Sequence, residues 1–292
     1  MYNDYIDRIK QVYPEILIKD IEPNVIGQNN DVLIINKSLV FRFPKYKLGI
    51  TKLKEETAIL KSINNSLTTQ IPNPIYQSFE QMEVGQVFTG YKLIQGSPFW
   101  REEFEKIKDK DLVKKLALQL VTFLIELHSI PIEQIERVLN KKKKNDVTSD
   151  VKVLFNKIEN KLYSFMSKDA KEKVSHMFES ILNNERNLDI KQRLTHGDFG
   201  ASNILWKSNS SEISGVIDFG GIEIGDPAYD FSGILSSYGE DFFNLCINLY
   251  PNGSEISERV KFYKSTFALQ EALHGIENND HQAFVIGIKE YR

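Results

Sequence analysis

Cysteine is almost absent: Cys246 is the single one in 292 residues, so the chain cannot close a disulfide on itself. Its neighbours Phe242, Phe243, Leu245 and Ile247 form an apolar helical pattern, which marks the thiol as a core group rather than a nucleophile. Long apolar runs are missing as well. Lys, Gln or Glu interrupts each candidate before the roughly 20 residues a bilayer requires, so no membrane partner is expected. Neither sign of charge dominates: 37 Lys and Arg face 40 Asp and Glu, for a net charge of -3. Nucleic acid finds no general attraction there. The one basic run, Lys141 to Lys144, lacks interleaved aromatics and reads as a solvated loop. The opening MYNDYIDRIK puts charges where an export signal needs an apolar core, so the expected location is the cytoplasm.

The composition, 41% hydrophobic and 26% charged, is ordinary for a soluble globular protein, and the length suits two lobes and an enzyme. After a leading helix over Tyr2 to Tyr13, stopped by Pro14, the runs Ile16 to Ile26, Val32 to Ile35 and Leu39 to Phe43 read as a strand meander. A helix over Thr51 to Asn64 and strands over Ile75 to Phe79 and Gln86 to Ile94 complete a five-stranded sheet. Gly96, Ser97 and Pro98 then break the pattern. Beyond them the chain turns helical, beginning with a wide apolar stripe over Asp111 to Ser129. Further helices are expected over Asp150 to Met166, Asp169 to Asn184, Ala228 to Leu235, Glu240 to Leu249, Ser254 to Leu273 and Asn279 to Glu290.

Chemistry concentrates in Leu194 to Asp226, LTHGDFGASNILWKSNSSEISGVIDFGGIEIGD. Gly197 and Gly200 bracket Asp198, allowing a tight loop that turns one carboxylate inward, and Asn203 follows at the spacing D-x-x-x-x-N. The run Ile204 to Trp206, a polar turn and the run Gly215 to Ile217 form a hairpin that delivers Asp218 beside them. Three oxygen donors around one small volume suit Mg²⁺, which binds through one or two protein groups plus substrate phosphates.

The pattern H-G-D-x-x-x-x-N followed by I-D-F-G resembles the protein-kinase signature, in the variant with Gly where the kinases have Arg. That variant is similar to the aminoglycoside phosphotransferase family. VFRFPK and FTGYKLIQG most resemble its members that modify a 2''-hydroxyl. The resemblance implies an α+β, bilobal protein-kinase-like fold: an antiparallel-sheet lobe over residues 1–94 that binds nucleotide, a hinge at 91–96, and a largely helical catalytic and acceptor-binding lobe over 97–292. It implies Asp198 as the base toward an acceptor hydroxyl, Asn203 and Asp218 as ligands to Mg²⁺, and GTP or ATP as donor. Arg42 takes the slot of the kinase strand lysine, pairing with Glu56, while Lys45 stands as its rival. Gly27 is the lone glycine of the loop over the phosphates. Lys92 to Ile94 offer main-chain groups to the purine edge, and Tyr91 before them disfavours adenine, which points to GTP. Asp226 and Asp230, in D-P-x-x-D, brace the catalytic loop.

The acceptor implied is a cationic aminoglycoside, whose phosphorylation gives resistance, and the enzyme is expected to be a monomer. Polycations need carboxylates. The family's acidic pair is replaced by Ser236 and Ser237, leaving Glu240, Asp241 and Glu271 as candidates. A macrolide, choline or sugar-like alcohol is the alternative acceptor, and a non-catalytic nucleotide-binding pseudokinase the alternative role, although none of its three polar groups is missing.

Overall fold

The computed structural model describes residues 2–24, 29–142, 146–184 and 190–292. Helix α1 (Tyr2–Val12) leads into β1 (Ile21–Asn24), β2 (Asn30–Ile35) and β3 (Leu39–Pro44). Helix α2 (Lys47–Ile63) follows, then β4 (Tyr76–Ser78) and β5 (Phe88–Lys92). The five strands make one antiparallel sheet in the order β1-β2-β3-β5-β4. Its two faces follow from period-two alternation. Phe41, Phe43 and Phe88 pack beneath α1, where the Tyr5 ring stacks on Phe43 at 4.1 Å. Arg42 lies opposite Thr89, and Val40 opposite Tyr91, on the other face. Phe41 lies opposite Gly90, and a Cβ there would come within 2.7 Å of the Phe41 ring.

The sheet expected from sequence is present, with shorter outer strands. Among the described residues of the first run, Ile21–Asn24 pair, and Pro23 is tolerated there because β1 is an edge strand. Helix α2 starts four residues earlier than expected, at Lys47 rather than Thr51. Gly49 within that first turn weakens the local helical signal.

The strand β6 (Ser97–Pro98) pairs with β8 (Ile204–Lys207), which pairs with β9 (Glu212–Val216), so the segment after residue 96 runs directly into the catalytic hairpin. Helices α3 (Arg101–Lys106), α4 (Lys110–His128), α5 (Ile132–Leu139), α6 (Val147–Leu162) and α7 (Lys168–Leu182) precede β7 (Arg193–Thr195). After β10 (Glu223–Gly225), which pairs with β7, come α8 (Ala228–Tyr238), α9 (Glu240–Leu249), α10 (Gly253–Glu277) and α11 (His281–Ile288). Asp109 caps α4, accepting hydrogen bonds from the main-chain N–H groups of Asp111 at 2.9 Å and Leu112 at 3.3 Å. The α4 stripe of Leu116, Leu120, Phe123, Leu124 and Leu127 is wholly buried in the main core. Phe123 stacks there on Phe199 of the catalytic loop, with ring centroids 5.3 Å apart. Helices α3 and α5 lie outside the sequence expectation. No single helix among the described residues is long and apolar enough to cross a membrane.

Helix α8 presses on the catalytic loop at Gly233, where an added Cβ would stand 2.2 Å from the Phe199 carbonyl oxygen. Gly233→Ala should therefore cost about 1–3 kcal/mol of stability. Thermal melting reads this as a lowered Tm; an unchanged Tm would mean that loop and helix separate freely.

Candidate active site

The loop between β7 and β8 carries Asp198 and Asn203. Asn203 Nδ2 donates to Asp198 Oδ2 at 2.8 Å and to the Asp198 carbonyl at 2.9 Å, which fixes the carboxamide; among the described residues its Oδ1 has no hydrogen bond. Asp198 opens to a cleft, yet the surrounding protein desolvates it and raises its pKa above the ordinary carboxylate value, against the pull of the Asn203 hydrogen bond. The loop is closed by His196, whose Nε2 donates to the Ile217 carbonyl at 3.1 Å and whose Nδ1 accepts the Asp198 N–H at 3.2 Å. Gly197 has φ +78°, and a Cβ there would come within 2.1 Å of the Gly221 carbonyl oxygen. Only glycine meets both conditions.

Asp230 of α8 fixes this loop from behind. Fully buried, it accepts the main-chain N–H groups of His196 on Oδ2 and Gly197 on Oδ1, both at 2.9 Å. His128, at the end of α4, donates from Nε2 to Asp230 Oδ2 at 3.0 Å and accepts on Nδ1 from the Tyr250 hydroxyl at 2.9 Å. In sequence His128 is only the last residue of α4. Its burial and its partner 102 positions away are properties of the packing. Asp226 is gripped separately by Arg259, from Nε at 2.6 Å and Nη2 at 3.2 Å, and by the Tyr263 hydroxyl at 3.2 Å.

On the sheet side, Arg42 is buried and shares its guanidinium between two carboxylates. Nη1 bonds Glu56 Oε1 and Nη2 bonds Asp218 Oδ1 at 3.0 Å. Burial pushes the Glu56 pKa up while Arg42 pulls it down, and the balance lies above the usual glutamate value. Asp218 holds a left-handed backbone, φ +59°, uncommon outside glycine. Lys45 stands apart, 3.7 Å from Asp31. Tyr91 is buried beside the Arg42 cluster, and burial pushes its hydroxyl up to about 12. Next to it the Leu93 N–H donates to the Ser38 carbonyl at 2.8 Å, whereas the Ile94 main chain makes no hydrogen bond among the described residues and Lys92 is exposed. Gly27 lies outside the described residues.

A cavity of about 620 Å³ opens at Asp198. One helical face of α8 (Tyr229, Gly233, Ser236, Ser237) and one of α10 (Phe267, Gln270, Glu271, His274) form two of its walls, and Trp100, Arg101 and Glu102 also line it. Glu271 is thus brought to Asp198, while Glu240 and Asp241, in the first turn of α9, are not among the lining residues. Tyr229, Gln270 and His274 were missed from sequence. The spacing 267, 270, 271, 274 on one face of a long helix was the available signal.

Among the described residues no cluster of three or more His, Cys, Asp or Glu could hold a metal. A Mg²⁺ ion on a nucleotide needs none: Asn203 Oδ1 and the Asp218 carboxylate are hard oxygen donors of the right kind, with phosphate and water supplying the rest.

The model of the APH phosphotransferase enzyme family matches residues 20–263. The viomycin phosphotransferase of Streptomyces vinaceus is 25% identical over 277 residues, 91% of each chain. The GDP and kanamycin complex of an APH(2'')-type enzyme superposes with a TM-score of 0.89 at 25% identity, covering 98% of this chain and 96% of that one. The gentamicin complex of a second APH(2'') enzyme gives 0.79 at 25% identity, covering 97% and 94%.

Replacing Arg42 by Met would strand Glu56 without its counter-charge, at about 3–5 kcal/mol near neutrality. Because burial already places the folded Glu56 pKa above its ordinary 4.5, that loss should be smallest below pH 4.5, where the carboxyl is neutral folded or unfolded. It should then grow as the pH rises through the folded pKa. Urea unfolding of both proteins across this range is the check; a deficit independent of pH would remove Glu56 as its source.

Proposed function

The chain belongs to the APH phosphotransferase enzyme family, and from that premise we propose that it moves the γ-phosphoryl group of a purine nucleoside triphosphate to a hydroxyl of a cationic, aminoglycoside-class antibiotic, giving resistance to it. The observation that carries this reading is the placement of Asp198 at the mouth of the 620 Å³ cavity, with Asn203 bonded to it and Asp218 tied to Arg42. Donor and acceptor sides meet at that carboxylate.

In this reading Asp198 accepts the proton of the acceptor hydroxyl as its oxygen attacks phosphorus in line, and Asp230 and Asn203 hold the loop still. Asn203 and Asp218 would hold Mg²⁺, which would supply charge neutralisation to the nucleotide phosphates. Arg42, positioned by Glu56, serves the phosphates rather than Lys45, because it already shares Asp218. The Ile94 main chain, with Lys92 beside it, meets the purine edge; Tyr91 narrows that pocket in favour of GTP. Gly27 remains assigned to the loop over the phosphates. Residues 1–94 act as the nucleotide lobe and 97–292 as the catalytic and acceptor lobe, joined by the 91–96 hinge. Glu271 pairs with an ammonium group of the acceptor, and Glu240 and Asp241 act only at long range. The enzyme works as a cytoplasmic monomer, where its nucleotide is supplied.

Asp198→Asn should lower kcat by about a hundredfold or more while nucleotide binding persists. Turnover loses its base when Asp198 is protonated, so kcat should fall toward low pH with a midpoint above the ordinary aspartate value of 3.8. Steady-state kinetics with kanamycin or gentamicin test both; full turnover in the Asn variant would remove Asp198 from this role. A donor competition series tests Tyr91: GTP should be used in preference to ATP, and Tyr91→Ala should shift use toward ATP. Equal kcat/KM for the two donors in the unaltered enzyme would end the GTP assignment.

A further inference from the structure

Ser236 and Ser237, in the last turn of α8, line the acceptor cavity, and such a helix end carries partial negative charge. It is a natural seat for an ammonium group. In this chain the seat is taken. Arg101 Nε donates to the Ser237 carbonyl at 2.8 Å and Nη2 to the Ser236 carbonyl at 3.2 Å, so a guanidinium from the α3 start occupies the position. Among the described residues no carboxylate pairs with Arg101, and the nearby Glu103 is engaged by Lys106. Glu102 on the same rim offsets its charge without bonding it. Toward the start of α8 the character differs: Tyr229, about two turns back from Ser237, donates to Gln270 beside Glu271 and lies in the field of Asp198, so the carboxylates of the cavity gather there. Trp100, 48% exposed, adds a flat apolar face at the Arg101 end.

We propose that Arg101 is a specificity-determining residue that divides the acceptor site by charge. The site then takes an acceptor whose ammonium groups gather at the end facing Glu271 and Asp198. A neutral, oxygen-rich or flat portion lies against Arg101 and Trp100. The N–H groups of Arg101 not spent on α8 donate to carbonyl, ether or hydroxyl oxygens of that portion. Acceptors with ammonium groups on every ring are disfavoured by repulsion at the rim. This deepens the acceptor reading above and rests on it.

The test is steady-state phosphorylation of kanamycin, a polyamino sugar, by the full-length enzyme and its Arg101→Ala and Arg101→Lys variants. Removing the guanidinium frees the Ser236 and Ser237 carbonyls, so Arg101→Ala should lower the kanamycin KM by roughly fivefold, with the nucleotide KM as the control for folding. Arg101→Lys keeps the charge and should keep the unaltered KM. A kanamycin KM that is unchanged or raised in Arg101→Ala would overturn the proposal and leave Arg101 as a brace for α8. So would an Arg101→Lys variant that behaves like the Ala variant. If none of the three proteins turns over kanamycin or any other cationic antibiotic, the acceptor class itself falls, and this inference falls with it. Activity with kanamycin gained only in Arg101→Ala would support both.

Discussion

The backbone of the loop between β7 and β8 is held by one buried carboxylate. Asp230 sits in α8 with no exposed surface and accepts the His196 and Gly197 N–H groups, one on each oxygen. An unpaired carboxylate in such a place would cost several kcal/mol, so its hydrogen-bond partners are also what allow α8 to pack where it does. His128 completes the set by joining the end of α4 to the same oxygen. Three elements far apart in sequence therefore share one polar centre. Phe123 on Phe199 and the close approach of Gly233 to the Phe199 carbonyl add the apolar half of the same junction.

Because the loop is held from behind, its front is left for chemistry. Asp198 faces the cavity with one oxygen fixed by Asn203, and the Asn203 carboxamide is fixed in turn by the Asp198 main chain. The Ile217 N–H donates to the Asn203 carbonyl at 2.9 Å, which ties the loop to the strand end that presents Asp218. Positioning of this sort is the main protein contribution to phosphoryl transfer, where little covalent chemistry falls to the enzyme.

The parts of this site that were legible in the sequence are those set by neighbours along the chain. Asp198, Asn203 and Asp218 lie in short loops flanked by glycines and strands, where spacing alone limits the geometry. Arg42 and Glu56 were readable through the family resemblance, which puts Arg42 in the slot of the kinase strand lysine and pairs it with Glu56. The acceptor side was not readable in that way. Glu271 and Glu240 both begin as acidic residues on C-terminal helices. Only the packing of α10 beside α8 turns Glu271 to the cavity, while α9 leaves Glu240 3.9 Å from Lys261. His128 and Arg101 were passed over for the same reason: each matters through a partner more than a hundred positions away.

The arginine in place of the usual strand lysine bears on how the two halves are joined. A lysine ammonium is a point charge on a flexible stem, whereas the guanidinium is a planar fork with separate donors. Arg42 uses that difference, giving Nη1 to Glu56 on α2 and Nη2 to Asp218 beyond β9. One side chain thereby connects the sheet, its helix and the catalytic hairpin. The left-handed backbone at Asp218 is uncommon for a residue with a Cβ, and the ion pair with Arg42 offsets part of its cost. The cation at the centre of this junction is thus oriented by two carboxylates.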